Sequence, residues 1–415
     1  MTEPPELVPP ARELEPEMGS FKLFSGQASL VYMNHAGISP PSAVVRKAVA
    51  NMLADYGKRG ADAYPTWAAQ RARLRGKLAA LVGASPEQIA LTHNTSRGIG
   101  DVALCFAWKP GDKVVVFDGE FPANVVPWLR AAELFSLEVV RLDGRRFVTD
   151  EGAALAALEG ELAKGGVRMV AVSAVQFQTG YRAPVEAMSA LCRARGARLF
   201  VDAVQACGMT SIDVRRDGID YLSAGSHKWM MGIEGAGFVY AGDEAARDLV
   251  PRTISWLSFD GAIDFLFEGP GKLRYDKPVK SGIQFLEGAN LSAASFVALE
   301  AALDLLQKLG VERIFEHVQK IHDALEPGAV DLGMVSVRAQ GASGRSGSLC
   351  LLPPADVPIT ALHREMTSQG IACAMPDGYL RLSPHWWLAV DEADQVLLAL
   401  RTSLANVRSS GSRSA

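Results

Sequence analysis

Between residues 88 and 242, short β-branched runs alternate with stretches of helical periodicity, and this alternation restricts the fold more than any other feature of the chain. QIALT (88–92) precedes a helix starting at Thr95, and KVVVFD (113–118) precedes the helix-like NVVPWLRAAEL. EVVRLD (138–143) precedes an Ala/Leu-rich stretch over 151–164, and VRMVAVSAV (167–175) precedes PVEAMSALCRAR. ARLFVDAV (197–204), DYLSAG (220–225) and GAGFVYAG (235–242) close the series. Strands separated by helices of this length connect by crossovers and give a mainly parallel sheet. Runs such as KVVVF and RLFV lack polar alternation, which predicts strands covered on both faces.

The reading is therefore an α/β fold: a large domain with a mainly parallel seven-stranded sheet, then a smaller α+β C-terminal domain. The pattern changes near residue 290, where SAASFVALEAALDLLQKLGVERIFEHVQKIHDAL predicts a long helical region, with SLCLL and YLRLS as short strands beyond it. The expected organisation is a disordered tail over 1–18, a large domain over 19–290 with its first residues near the small domain, a small domain over 291–408, and a second disordered tail over 409–415.

Composition narrows the function classes. The chain is 48% hydrophobic and 21% charged, which excludes intrinsic disorder. Five glutamates against Arg12 within residues 1–20 account for the whole net charge of −4, so the body is near neutral and no nucleic-acid or anionic membrane partner is expected. No apolar run approaches the ~18 residues of a membrane helix. The acidic, Pro-rich start has none of the marks of a signal or transit peptide. Five scattered cysteines without a C-x-x-C pair predict a reducing, cytoplasmic setting and no metal centre.

Four features fall after successive strands. THNTSRGIG (92–100) turns from strand to helix with Thr95 and Ser96 at the helix start, where free N–H groups and hydroxyls suit a phosphate or simply cap the helix. EFPANVVPW (120–128) puts Phe121 at the rim, as a stacking face or an aromatic plug. VDAVQ (201–205) ends an apolar strand with Asp202, a crevice carboxylate or a helix cap. SAGSHKWMMG (223–232) places Lys228 beyond the next strand, as a desolvated nucleophile or a lysine that reaches out of its loop. Together they supply a phosphate cup, an aromatic face, a carboxylate and an amine in one crevice. Pyridoxal 5′-phosphate requires all four, the carboxylate to keep its ring nitrogen protonated and the lysine to bond its aldehyde.

With these residues the sequence resembles the aminotransferase class V family of fold-type I pyridoxal-phosphate enzymes, from VYMNHAGISPPS (31–42) to YLRLSPH (379–385). Its most specific pieces are VDAVQ and SHKW, with Asp202 and Lys228 26 positions apart. MNHAG and HKW are most similar to the isopenicillin N epimerase-like branch. The resemblance implies that Lys228 forms the Schiff base and moves protons, Asp202 pairs with the pyridinium nitrogen, and Gln205 bonds the ring 3-oxygen. It further implies Phe121 as the stacking ring, Thr95, Ser96, Ser226 and His227 around the phosphate, and Arg381 and His35 on the substrate side. A homodimer acting on a small amino-acid-like substrate follows from the same likeness. Transferase chemistry and C–S lyase or desulfurase chemistry are both implied, with epimerisation, or a non-catalytic binding role, as alternatives.

The chain departs from the family in several places. Gly225 stands where many relatives have a serine, and FLEGAN puts Ala289 where a threonine hydroxyl reaches the partner's phosphate, leaving Asn290 or Ser292 as substitutes. SAVQFQTG offers Gln176 or Gln178 near the ring 3-oxygen. Cys373 lies eight positions before Arg381, closer than a mobile desulfurase cysteine, so a buried cysteine is expected there.

Overall fold

The computed structural model describes residues 15–289 and 291–411. Most of the expected N-terminal tail, the last four residues and Asn290 lie outside the described residues. Seven strands form the main sheet: β1 (Ile89–Thr92), β2 (Lys113–Asp118), β3 (Glu138–Asp143), β4 (Val167–Ser173), β5 (Arg198–Asp202), β6 (Tyr221–Gly225) and β7 (Gly237–Ala241). Their spatial order is β1-β7-β6-β5-β4-β2-β3. Pairing is parallel from β3 across to β6, while β7 runs antiparallel to both β6 and β1.

The central strands are buried along nearly their whole length, as their unbroken apolar runs require, and β3, at the edge, has no fully buried residue. Helices α3 (Thr95–Cys105), α4 (Val126–Phe135), α5 (Glu151–Ala163) and α6 (Val185–Ala194) make the crossovers. Two earlier helices, α1 (Ala43–Arg59) and α2 (Tyr64–Val82), pack on α7 (Ala293–Leu309). The long helical stretch of the sequence is two helices, α7 and α8 (Val311–Asp331), broken at Gly310, whose φ of 80° ends one helix and starts the next.

The C-terminal region carries a three-stranded antiparallel sheet of β8 (Val335–Ser336), β9 (Leu349–Leu352) and β10 (Leu380–Leu382), with helices α9 (Ile359–Ser368) and α10 (Glu392–Gly411). Because α10 continues to Gly411, residues 409–411 are helical and not the tail expected from their Ser-rich composition. Val31–Tyr32 pairs in parallel with Ile371–Ala372, and Asn34 bridges Ser383. Buried Phe24, Trp386 and Trp387 clamp this junction, with Phe24 and Trp387 stacked at 4.5 Å. The N-terminal segment thereby runs over the carboxyl ends of the sheet beside the C-terminal strands.

Candidate active site

A cavity of about 560 Å³ opens where the carboxyl ends of β2, β5 and β6, the start of α3, and the 374–381 segment converge. Ligands sit at this edge of open α/β sheets because the crossover connections diverge there. Asp202 is the last residue of β5 and is 2% exposed. Its Oδ1 accepts the Val204 N–H at 2.9 Å. Burial pushes its carboxyl up to about 6, against the lowering pull of that hydrogen bond and of Lys228. The strand end thus holds a costly carboxylate that a cationic ring nitrogen would compensate.

Lys228 follows β6 in a tight loop, closed by Gly232 N–H donating to Ser226 O and Met231 N–H donating to Lys228 O. Met231 holds φ of 56° there, a left-handed backbone outside glycine that marks strain beside the site. Burial lowers the Lys228 amine to about 8, opposed by Asp202 and assisted by Arg381. Its Nζ lies 5.6 Å from the centroid of the Phe121 ring. The loop is tied to the N-terminal segment, since Ser39 Oγ donates to Lys228 O at 2.6 Å and Ser39 N–H donates to His227 O at 2.7 Å. From the C-terminal side, the His385 ring meets Trp229 O at 3.1 Å. These ties fix the backbone that carries the buried amine from both the N-terminal and the C-terminal side.

The anion side forms at the start of α3. Asn94 caps the helix by accepting Arg97 N–H, and Thr95 and Ser96 turn toward the cavity. The Thr95 hydroxyl is buried and has no partner. A Cβ on Gly225 would come within 3.0 Å of that hydroxyl, so the glycine keeps the space beside it open. His227 lines the same end, its imidazole lowered by burial and by Lys228 and so held neutral. Phe121 forms one wall and meets Phe177 edge-on at 5.3 Å.

Arg381, on β10, is 6% exposed and reaches the cavity. Its Nη1 donates to Phe177 O at 2.8 Å, while Nε has no partner. Among the described residues no carboxylate pairs with it. A buried guanidinium with an unpartnered Nε has the chemistry to receive a carboxylate.

The structure therefore brings together Thr95, Ser96, Phe121, Asp202, Gln205, His227, Lys228 and Arg381 around one cavity. Two expected residues stand elsewhere. His35 is fully buried behind the wall, with Nδ1 on Ser383 O and Nε2 accepting the Trp387 indole N–H, so it has no nitrogen free for substrate; its neighbours Ala36 and Gly37 line the cavity instead. Ser226 is buried and its hydroxyl donates to Ile233 O, which removes it from the anion site. Gln205 lines the cavity with its amide already braced, Nε2 to Ala36 O and Oε1 from Trp229. Gln176 donates to Gly119 O and Gln178 to Asp377 Oδ2, their other amide contacts lie within their own loop, and Phe177 alone of that stretch lines the cavity. Ser292 caps α7.

Sequence reasoning passed over Glu120 and Met375. Glu120 precedes Phe121 and accepts Ser173 N–H at 2.6 Å as well as the Ser173 hydroxyl, pinning the β2 loop to β4. Burial pushes its carboxyl up to about 7, with the Ser173 bonds opposing and Asp202 adding to the rise. A carboxylate at a strand end was visible in EFPANVVPW. Met375 carried no such signal, because only the tertiary fold returns its segment to the cavity.

The unpartnered Thr95 hydroxyl, the open space at Gly225, the buried Asp202 carboxyl and the neutral-prone Lys228 fit pyridoxal phosphate. The fold and the cavity are those of a fold-type I pyridoxal-phosphate enzyme. The chain belongs to the aminotransferase class-V family, whose model matches residues 31–378. It is 27% identical to an uncharacterised aminotransferase, YcbU, of Bacillus subtilis (strain 168), over 77% of this chain and 80% of the relative. It is 29% identical to a probable cysteine desulfurase of Methanothermobacter thermautotrophicus, over 71% of each chain. Among solved structures, a mutant of C-DES with glycine covalently linked to its pyridoxal-phosphate cofactor superposes with a TM-score of 0.81 at 22% identity, covering 92% of this chain and 99% of that one. The apo cysteine desulfurase of Thermococcus onnurineus NA1 gives 0.78 at 21%, covering 90% and 94%.

Proposed function

We propose that this pyridoxal-phosphate enzyme holds its cofactor through Lys228 and transfers the amino group of an α-amino acid whose carboxylate Arg381 binds. The observation that carries the reading is the buried, carboxylate-free guanidinium of Arg381 sharing one cavity with the desolvated amine of Lys228. When bound, pyridoxal phosphate supplies an aldehyde that condenses with an amine and a ring that accepts electrons from the substrate α-carbon.

The chain's own residues do the rest. Thr95, Ser96 and the first N–H groups of α3 would hold the phosphate at the positive end of the helix. Asp202 would keep a proton on the ring nitrogen, and Phe121 would cover a ring face. Gln205, with one amide hydrogen on Ala36 O, would offer its other one to the ring 3-oxygen. Lys228 removes and returns a proton at the substrate α-carbon, and an amine near pH 8 is poised for both directions. Exchange of an amino group needs one such base. Epimerisation by two bases is less well supported, since Asp202, His227 and Arg381 are engaged with cofactor or carboxylate.

C–S bond cleavage is the second reading, favoured by the relatives named cysteine desulfurases. In this chain it would proceed without a protein persulfide, because all five cysteines are free and buried. Cys373 is 6% exposed and burial pushes its thiol up to about 12, which leaves no thiolate to accept sulfur.

The test begins with borohydride reduction of the cofactor-loaded protein, where the modified peptide is expected to contain Lys228. Turnover of an amino acid that depends on a 2-oxo acid acceptor supports transfer, whereas acceptor-independent pyruvate and sulfide support C–S cleavage. Arg381→Ala is expected to raise KM for carboxylate substrates about 10- to 100-fold. An unchanged KM removes its role.

We also propose a homodimer, a large domain over 19–290 with a small domain over 291–408, and a cytoplasmic setting. The dimer is supported by an apolar face over residues 256–275, where Leu266, Phe267, Leu273 and Tyr275 are each more than half exposed. Five unpaired cysteines support a reducing compartment. Among the described residues no helix is long and apolar enough to cross a membrane.

A further inference from the structure

Once the polar lining residues have their roles, the rest of the cavity wall is informative. All of the polar residues proposed above to serve the cofactor and the carboxylate, Thr95, Ser96, Asp202, Gln205, Lys228 and Arg381, line the cavity, together with Asn94 and His227. Besides Phe121, Ala123 and Val204, what remains of the lining is Ala36, Gly37, Phe177, Ala374, Met375 and Pro376. None of these has a side chain that can donate or accept a conventional hydrogen bond, or neutralise a charge.

The segment carrying Met375 is held over the cavity. Ala374 pairs with Arg381, so the carboxylate-binding arginine and the roof share one strand junction. The turn Pro376–Gly378 follows, with Asp377 in a left-handed conformation at φ 47° and ψ 45°. A non-glycine residue in that region persists only where neighbours hold it. The holder is Gln178, whose Nε2 donates to Asp377 Oδ2 at 2.7 Å. Gln178 is itself fixed, since its Oε1 accepts Gln176 Nε2, and Gln176 Oε1 accepts the N–H groups of Gln178 and Thr179. Arg145 stands 3.7 Å from the same Asp377 oxygen. The roof over the cavity is therefore latched to the β4–α6 loop, which also supplies Phe177 and the carbonyl that orients Arg381.

We propose that Met375, held by the Gln178–Asp377 latch, determines specificity for amino acids with uncharged apolar or thioether side chains and excludes acidic and basic ones. This rests on the reading of Arg381 as the carboxylate site and Lys228 as the reacting amine, which together leave the Phe177–Met375 wall for the substrate side chain. An acidic side chain there would lose its hydration against a methionine and a phenylalanine with no partner in return. Met375 and its latch act on selectivity; Asp377 and Gln178 are positioning residues.

The experiment uses the full-length protein loaded with pyridoxal phosphate. Norvaline, methionine, aspartate, glutamate and lysine, all as L-isomers, are compared by kcat/KM and by the change in cofactor absorbance on titration, which reads binding without turnover. Norvaline and methionine are expected to exceed aspartate, glutamate and lysine by at least about 100-fold. Met375 is 39% exposed, so Met375→Arg leaves no core cavity; it is expected to improve aspartate and glutamate at least about tenfold relative to norvaline. Met375→Leu keeps the wild-type preference. Asp377→Ala is expected to flatten the preference mainly through KM, and Asp377→Asn, which keeps an acceptor for Gln178, restores it.

Acidic substrates accepted within tenfold of norvaline, or a preference that Met375→Arg leaves unmoved, overturn the proposal. A cofactor attached at a residue other than Lys228 overturns the functional reading instead. A cofactor fixed at Lys228 with a flat side-chain preference overturns the inference alone. Absence of any spectral response to every amino acid, in protein that carries the cofactor at Lys228, overturns both.

Discussion

Asp202 and Lys228 are placed at a cost to the fold. Burial pushes the folded carboxyl of Asp202 up to about 6, well above the ordinary carboxylate range. A raised folded pKa gives a contribution to stability that is present below the unfolded value and is lost as pH rises toward 6. The cofactor-free protein therefore carries a penalty of roughly 2–3 kcal/mol above pH 6 from this residue. Asp202→Asn, which can still accept the Val204 N–H, is expected to raise the melting temperature of cofactor-free protein at pH 8. That gain should shrink as pH falls below 6, while cofactor-dependent turnover is lost throughout. Lys228 has the opposite sign, lowered to about 8 and neutral above it. The rate at which cofactor-free protein takes up pyridoxal phosphate should rise about tenfold per pH unit below 8 and level off above it. A flat rate between pH 6 and 9 would remove the assignment of a desolvated amine.

The helix that carries the anion site depends on how closely it meets the sheet. A Cβ on Gly98 would overlap Ser223 Oγ and stand 2.5 Å from Val239 Cγ2. Glycine at this point lets α3 lie against β6 and β7, with Ser223 Oγ donating to Thr95 O at 3.2 Å. Gly98→Ala should push the helix start away from Lys228. The expected cost is about 1–3 kcal/mol in stability, and a larger cofactor dissociation constant, read by fluorescence titration of the cofactor-free protein. A variant with unchanged stability and affinity would show that the contact does not position the site. The Ser/Thr cluster and the glycine were legible in THNTSRGIG. The contact with β6 and β7 was not, because those strands follow more than a hundred residues later and β7 enters antiparallel.

Across the whole molecule, the site is assembled from three parts of the chain. The sheet supplies Asp202, Lys228 and the α3 cup, the N-terminal segment supplies Ala36 and Gly37, and the C-terminal strands supply Arg381 and Met375. The apolar face over 256–275 lies outside this assembly. If this face is buried in the proposed homodimer, Leu266→Glu combined with Phe267→Glu converts a dimer into a monomer by sedimentation. Wild-type protein that sediments as a monomer at micromolar concentration would overturn the dimer.

Local patterns in the sequence determined the crossover fold, the parallel sheet buried on both faces, and the strand-end positions of Thr95, Phe121, Asp202 and Lys228, because strand periodicity and turn chemistry are short-range properties. The direction of each side chain was a tertiary decision. His35, placed on the substrate side by the resemblance, is consumed by Ser383 and Trp387. Ser226 looked like a phosphate hydroxyl beside Lys228 and is consumed by Ile233. Met375 had no motif at all, yet it roofs the cavity through a hydrogen bond between residues 178 and 377. A hydrogen-bonding side chain serves whichever partner the fold brings first, and nothing in the neighbouring residues records which one that is.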